Sequence, residues 1–214
     1  MKTAIVIGAT GLVGTELVRI LLASPDYASV VVLNRRPLNL THANLTERLI
    51  DFDAPDLTGI TGEDFFCAFG TTLRKAGSKD AQRRIDCDYP TTIATLLKRQ
   101  GVRRMFLVSS LGADVNARSF YLNTKGKLEE NIIGLNFERT VIVRPSVLVG
   151  PRAEFRRGEV TAIRMMGFLS PFLRGPLRKY RPIEASTVAR CLLQQAVSHA
   201  SGLSIIESDR IQTA

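Results

Sequence analysis

Apolar and polar positions along the chain fall into two alternating periods. Short apolar runs rich in Val, Ile and Phe occupy residues 2–7, 30–33, 64–69, 104–108 and 139–143, with a weaker run at 47–52. Runs of this length, apolar at consecutive positions, predict strands buried on both faces of a parallel sheet. Stretches of helical period lie between them at 15–22, 79–100, 121–133 and 186–198. Gly101 and Gly134 stop two of these helices, and Ser186 is the expected cap of the last. Strand and helix alternate without internal repeat, which predicts an α/β, doubly wound parallel sheet covered by helices on both faces. A length of 214 residues suits one domain, 1–214. Residues 150–182 break the pattern: they are rich in Gly, Pro and Arg and show no strand period. They read as a small basic insertion over the carboxyl ends of the strands, where ligands bind in such sheets.

The first strand runs directly into Gly8-Ala9-Thr10-Gly11-Leu12-Val13-Gly14, and a helix follows. Glycine permits the backbone angles of a tight turn and a close approach to phosphate. The helix N-terminus adds unpaired N–H groups and the positive end of its dipole. Strand, glycine turn and helix in this order predict a dinucleotide pyrophosphate site of Rossmann type formed by Gly8, Thr10, Gly11, Leu12, Val13 and Gly14.

Asn34 lies twenty residues after Gly14, at the end of the second predicted strand, and Arg35, Arg36 and Pro37 follow it. A carboxylate in this region would bind a ribose 2′-hydroxyl and repel a 2′-phosphate, whereas a guanidinium grips the phosphate with charge-assisted hydrogen bonds. The stretch therefore predicts NADPH over NADH, with Arg35 the main contact. Asp51 and Phe52 are the expected neighbours of the adenine, with Asp53 as the alternative.

Tyr121 and Lys125 are four residues apart and share one face of a predicted helix. Ser109 and Ser110 end a buried strand upstream. Together Ser110, Tyr121 and Lys125 form a carbonyl-reducing set. Ser110 holds the substrate oxygen, Tyr121 donates a proton to it, and Lys125 supplies the cation that a phenol needs to act near neutral pH. Ser109 is the alternative serine.

The formal net charge is +9, and residues 150–182 carry eight cationic against two acidic side chains, six of the nine net charges. This favours an anionic small-molecule substrate; a solvated basic surface is the plainer reading. Nucleic acid is not expected, because no binding motif is present and Trp is absent. Two histidines give no expectation of a metal site. Three cysteines without metal or redox spacing read as small apolar groups in a reducing compartment. No apolar run approaches the roughly 20 residues of a membrane span, and no signal-like segment precedes the first strand. A cytoplasmic protein, monomer or homodimer, is the expectation.

In these motifs the sequence resembles the short-chain dehydrogenase/reductase superfamily, in its atypical branch with the Gly-x-x-Gly-x-x-Gly turn. It is most similar to the Tat-interacting-protein-like NAD(P)H-binding oxidoreductases. The segments that carry the resemblance are residues 8–14 and 34–36, Cys67-Ala68-Phe69-Gly70-Thr71-Thr72 with Ala76-Gly77-Ser78, residues 109–114 and 121–125, and Arg144-Pro145-Ser146-Val147-Leu148. The resemblance implies that Ala68, Gly70 and Thr71 line the cofactor and that Pro145 and Val147 meet its nicotinamide end. It also implies that Tyr121 and Lys125 touch the cofactor. Where many relatives place an asparagine that supports a proton relay, Asp86 stands here. Some members of the branch bind cofactor without a known reaction. The alternative function is therefore an NADPH-binding regulator or sensor with a protein partner.

Overall fold

The computed structural model describes residues 1–150 and 175–213. Its strands are β1 (Lys2–Ile7), β2 (Tyr27–Asn34), β3 (Leu45–Leu49), β4 (Asp64–Cys67), β5 (Arg104–Val108), β6 (Arg139–Arg144), β7 (Leu148–Val149), β8 (Ile183–Glu184) and β9 (Gly202–Glu207). Seven form one sheet in the order β3-β2-β1-β4-β5-β6-β9, every pair parallel, while β7 and β8 make a separate two-stranded ribbon. The direction of winding reverses between β1 and β4. At such a switch point the loops beyond the two strands diverge and leave a crevice.

Side chains of β1 show why the sheet needs cover on both faces. Ala4 and Val6 pack with Leu17, Val18 and Leu21 of α1 (Leu12–Ala23) and with Val188 and Leu192 of the late helix Ala185–Val197. Ile5 and Ile7 point the other way, to Ile93 and Leu97 of α4 (Tyr89–Arg99) and to Leu128 and Ile132 of α5 (Phe120–Gly134). Each fully buried Ile or Leu contributes roughly 1.5–3 kcal/mol, so both layers hold the strand in register.

The amino ends of four strands meet at one carboxylate. Asp64 opens β4 fully buried, accepts hydrogen bonds from the Tyr27 hydroxyl and twice from the Arg104 guanidinium, and lies 3.5 Å from the Lys2 ammonium. This network is at the end of the sheet opposite the crevice.

Several predicted boundaries shift. The strand expected at 47–52 occupies 45–49, because Ile50 and Phe52 leave the sheet edge and enter the core. The helix expected over 79–100 comprises α3 (Lys79–Arg83), a π-helical turn Arg84–Asp88 and α4. The late helix begins at Ala185 with Glu184 in the cap position. Ser186, expected there, lies inside the first turn and donates its hydroxyl to Glu184 at 3.2 Å. A short helix α2 (Leu73–Ala76), the terminal helix Ser208–Ile211 and β7, β8 and β9 were not anticipated. Of the basic insertion expected at 150–182, only residue 150 and residues 175–182 are described; the rest of that expectation lies outside the described residues. No helix among the described residues is long and apolar enough to cross a membrane.

Candidate functional site

The glycine turn is built by backbone contact. Gly8 has φ +83°, and a β-carbon on it would stand 2.5 Å from the carbonyl carbon and oxygen of Ala68. The turn therefore lies directly against the end of β4. A β-carbon at Gly14 would stand 2.0 Å from the Gly8 carbonyl oxygen, so α1 is seated on the turn. The Gly11 N–H donates to Gly8 O at 3.0 Å, and the Thr15 N–H makes the first helical bond to Gly11 O at 2.9 Å. The N–H groups of Leu12, Val13 and Gly14 are thus the donors of α1 left without a partner among the described residues. Gly11, the cap residue, has no side chain to cap the helix, and no acidic residue occupies the first turn. A cradle that excludes a β-carbon at Gly8 and at Gly14 and ends in amide donors at a positive dipole end fits the diphosphate of a dinucleotide.

Beyond β4 the chain turns at Phe69-Gly70-Thr71. Here Lys125, on α5, is buried, and its Nζ donates to the Phe69 carbonyl at 3.2 Å. Asp86, fully buried in the π-helical turn, accepts from the Thr71 N–H at 2.6 Å and from Gln82 Nε2 at 3.4 Å. A β-carbon on Gly70 would be 3.8 Å from both Asp86 Oδ1 and Lys125 Nζ, so the two charges flank the same turn. Burial pushes the Asp86 carboxyl upward, against the pull of Lys125 and its two hydrogen-bond donors. Burial works against the Lys125 ammonium, yet the facing Tyr121 and Asp86 outweigh it and hold its pKa above the ordinary lysine value. The π turn aims Asp86 inward, a placement often found at functional sites.

At the end of β5 the two serines have different duties. Ser109 is buried and donates its hydroxyl to Glu129. Glu129 also receives Arg144 through Nε at 3.0 Å and Nη2 at 2.5 Å, and Arg144 reaches Glu207 at 3.1 Å. This chain of contacts ties β5, α5, β6 and β9 together just under the crevice. The Glu129 and Glu207 carboxylates hold the Arg144 guanidinium above the usual arginine range, against its partial burial. The Ser110 hydroxyl makes no hydrogen bond among the described residues and faces the crevice, as does Tyr121, which is 36% exposed.

One crevice of about 2340 Å³ runs along the carboxyl ends of the strands. It exceeds the roughly 1,000 Å³ upper range of a single small-ligand pocket, so it has room for a cofactor and a second molecule. Thr10, Gly11, Leu12 and Val13 line it at the α1 end, and Ala68, Gly70 and Thr71 at the β4 end. Ser110, Tyr121, Lys125, Pro145 and Val147 line the far side. Gly8 and Gly14, the two ends of the turn, do not line the crevice. Asn34, Arg35, Arg36, Asp51 and Phe52 do not line this crevice. Arg35 and Arg36 are exposed at the β2 tip, without hydrogen bond or ion pair among the described residues. Phe52 is a core residue stacked on Phe69 at 5.0 Å between ring centroids, and Asp51 is exposed. Asp53 accepts from the Tyr89 hydroxyl at 2.7 Å.

Glu129, Glu207 and the polar wall of Glu184, Asp209 and Arg210 escaped the sequence reading. A signal existed for Glu129 alone. It follows Lys125 by four residues on α5, and its neighbours Leu128 and Ile132 are core residues. Among the described residues no group of three or more His, Cys, Asp or Glu side chains is placed to hold a metal ion.

A doubly wound sheet with a glycine turn at its switch point, opening on a serine, a tyrosine and a lysine, defines an NAD(P)-binding protein of the short-chain dehydrogenase/reductase type. The chain belongs to the NAD dependent epimerase/dehydratase family, whose model matches residues 4–170, and within it to the atypical, Tat-interacting-protein-like branch. It is 34% identical over 218 residues to "Protein FMP52, mitochondrial" of Coccidioides immitis, covering 94% of this chain and 88% of that protein. It is 33% identical over 217 residues to "Protein HTATIP2" of Rattus norvegicus, covering 98% and 88%. Among solved structures, MoeE5 in complex with UDP-glucuronic acid and NAD superposes with a TM-score of 0.72 at 21% identity over 96% of this chain and 76% of that one. The human epimerase family protein SDR39U1 with NADPH superposes with a TM-score of 0.63 at 17% identity over 96% and 74%. These likenesses support the fold, and the family is NAD(P)-dependent. The relatives correct the cytoplasmic expectation, because FMP52 proteins at 33–34% identity from Coccidioides immitis and Candida albicans are named mitochondrial. That expectation rested largely on cysteine usage and on the apolar pattern of the chain, neither of which marks the compartment of a Rossmann core.

Proposed function

We propose that the protein is an NADPH-dependent oxidoreductase that reduces a small carbonyl substrate. The observation that carries this reading is the meeting of Ser110, Tyr121 and Lys125 in the crevice that begins at the α1 N-terminus. The nicotinamide, when bound, supplies the hydride to the carbonyl carbon. The remaining work falls to the chain. The α1 amides hold the diphosphate, Gly70 and Thr71 form the wall beside it, and Pro145 and Val147 close the nicotinamide end. The Ser110 hydroxyl orients the substrate oxygen. Tyr121 gives that oxygen its phenolic proton and later recovers one from water. The buried Lys125 ammonium stabilises the phenolate left behind. Arg35, with Arg36 beside it, supports NADPH as the preferred form, since two guanidinium groups without partners among the described residues suit a 2′-phosphate. Asn34, Asp51 and Phe52 are assigned to the adenosine end on sequence position alone. The test is NADPH consumption over a panel of aldehydes, ketones and quinones. Turnover with at least one substrate, lost in Tyr121→Phe while NADPH still binds, is expected. Tight NADPH binding with no turnover across the panel would overturn the reading.

A second reading, a cofactor-dependent regulator, is favoured by the ties of Lys125 to the Phe69 carbonyl and of Asp86 to Thr71. These contacts shape the cofactor wall and need no turnover. This reading expects a protein partner whose capture from lysate changes with added NADPH.

A further inference from the structure

Glu47 is on β3, the outer strand, in register with Val32 of β2, while Asn34 pairs with Leu49. Val32 and Leu45 pack on the face of the sheet that α1 covers. Side chains two residues apart share a face, so Glu47 and Asn34 project to that side as well. There Glu47 Oε1 accepts two hydrogen bonds, from Asn34 Nδ2 at 2.9 Å and from the Leu38 backbone N–H at 2.9 Å. The two donors are the two ends of the segment 34–38. One carboxylate oxygen therefore closes an arch whose crown is Arg35-Arg36-Pro37.

The crown is exposed, and neither arginine has a hydrogen bond or ion pair among the described residues. Pro37 restricts the backbone on its own side, Asn34 is buried, and Leu38 packs against the core. The arch is thus fixed at both feet while its two cations have no partner among the described residues. We propose that Glu47 is the residue that positions Arg35 and Arg36 for the 2′-phosphate, and so sets the cofactor preference from one strand away. A carboxylate at the β2 tip itself would repel that phosphate. Here the acid is displaced to β3 and one of its oxygens is engaged by two N–H donors, so it acts through the shape of the arch. The inference rests on the NADPH reading above.

The experiment is calorimetric titration of NADPH and NADH into wild type, Arg35→Ala, Glu47→Ala, Glu47→Leu and Glu47→Gln, with amide exchange followed at residues 35, 36 and 38. Loss of the clasp frees the backbone of the arch, which must then be ordered on binding if its two arginines are to meet the phosphate, so Glu47→Ala should weaken NADPH about tenfold and NADH less than about twofold. Glu47→Leu, which keeps the packed stem, should behave alike and serves if the alanine variant folds poorly. The Gln carbonyl accepts the same two N–H groups, so Glu47→Gln should stay within about twofold of wild type for both cofactors. Faster amide exchange at Leu38 in Glu47→Ala or Glu47→Leu with an unchanged NADPH-to-NADH ratio would overturn the proposal. Selective loss of NADPH in Arg35→Ala beside unaltered Glu47 variants removes the role of Glu47 and leaves the NADPH reading standing. Equal loss of both cofactors in Arg35→Ala removes the reading and the proposal together.

Discussion

A β-carbon at Gly14 would stand 2.0 Å from the Gly8 carbonyl oxygen and 2.7 Å from its carbon. Both atoms are backbone, so no rotamer change relieves the overlap. Gly14→Ala must lift α1 from the turn, and a loss of about 3 kcal/mol in stability is expected, with dinucleotide binding abolished. Gly11→Ala meets the same oxygen at 3.3 Å and should be tolerated far better. Urea unfolding and NADPH titration of the two variants check this. Equal effects would mean that α1 is not seated on the turn.

The parts of the site legible in the sequence are those with a local signature. The turn Gly8–Gly14 announces itself because strand, glycine spacing and helix are contiguous, and Tyr121 and Lys125 because one helical turn separates them. The contacts that hold these groups in place are not local. Arg144 meets Glu129 across 15 residues and Glu207 across 63, and Glu47 meets Asn34 across 13. No period links such pairs, so only the folded sheet reveals them. The π turn at Arg84–Asp88 is hidden for a related reason. The apolar pattern of the long helix continues through it, and only the backbone registers the extra residue. The edge strand β9 was missed because Leu203 and Ile205 remain 48% and 38% exposed, which leaves a short run without a buried pattern on both faces.

The division of labour between the two serines gives a second prediction. Ser109 is buried and bonded to Glu129, so Ser109→Ala strands part of a buried carboxylate and should cost about 1–3 kcal/mol of stability. Ser110 faces the crevice with no hydrogen bond among the described residues, so Ser110→Ala should leave the melting temperature in place. If the proposed chemistry holds, Ser110→Ala lowers kcat by about 10²-fold or more, since it removes a hydroxyl from the developing oxyanion. Thermal melts beside steady-state kinetics separate the two. An interchange of their effects would reassign the catalytic serine to 109.

Asp64 supplies a third. Asp64→Ala leaves the Arg104 guanidinium and the Tyr27 hydroxyl without their acceptor at a buried site, and removal of one partner from such a pair costs about 3–5 kcal/mol. Because Asp64 is at the amino end of β4, NADPH affinity of the folded fraction should be unchanged. Chemical unfolding and a titration at low temperature measure both. A large loss of affinity in a stable variant would show that the two ends of the sheet are coupled.

The buried thiols set the alkaline limit. Cys67 and Cys191 have their pKa values pushed up to about 11, in each case by burial first, with the Phe69 N–H and Lys125 pulling Cys67 partly back. In the unfolded chain a thiol ionises near pH 8.5. Between about pH 9 and 11 the unfolded state therefore releases protons that the native state keeps. The native state binds more protons, so stability falls as pH rises, by up to about 1.4 kcal/mol per unit for each thiol. Tyr27, raised by burial and by Asp64, adds a loss of the same sign only above about pH 10, where an unfolded tyrosine ionises. The test window is therefore pH 9–10. Burial raises the Cys87 thiol in the same direction, and Cys191→Ala removes one of these three groups, so its urea midpoint should fall less steeply across that window than that of wild type, while its stability at pH 7 is lower by about 1 kcal/mol for the lost packing. Parallel slopes for the two proteins would mean that the Cys191 thiol ionises as readily in the native state as in the unfolded chain.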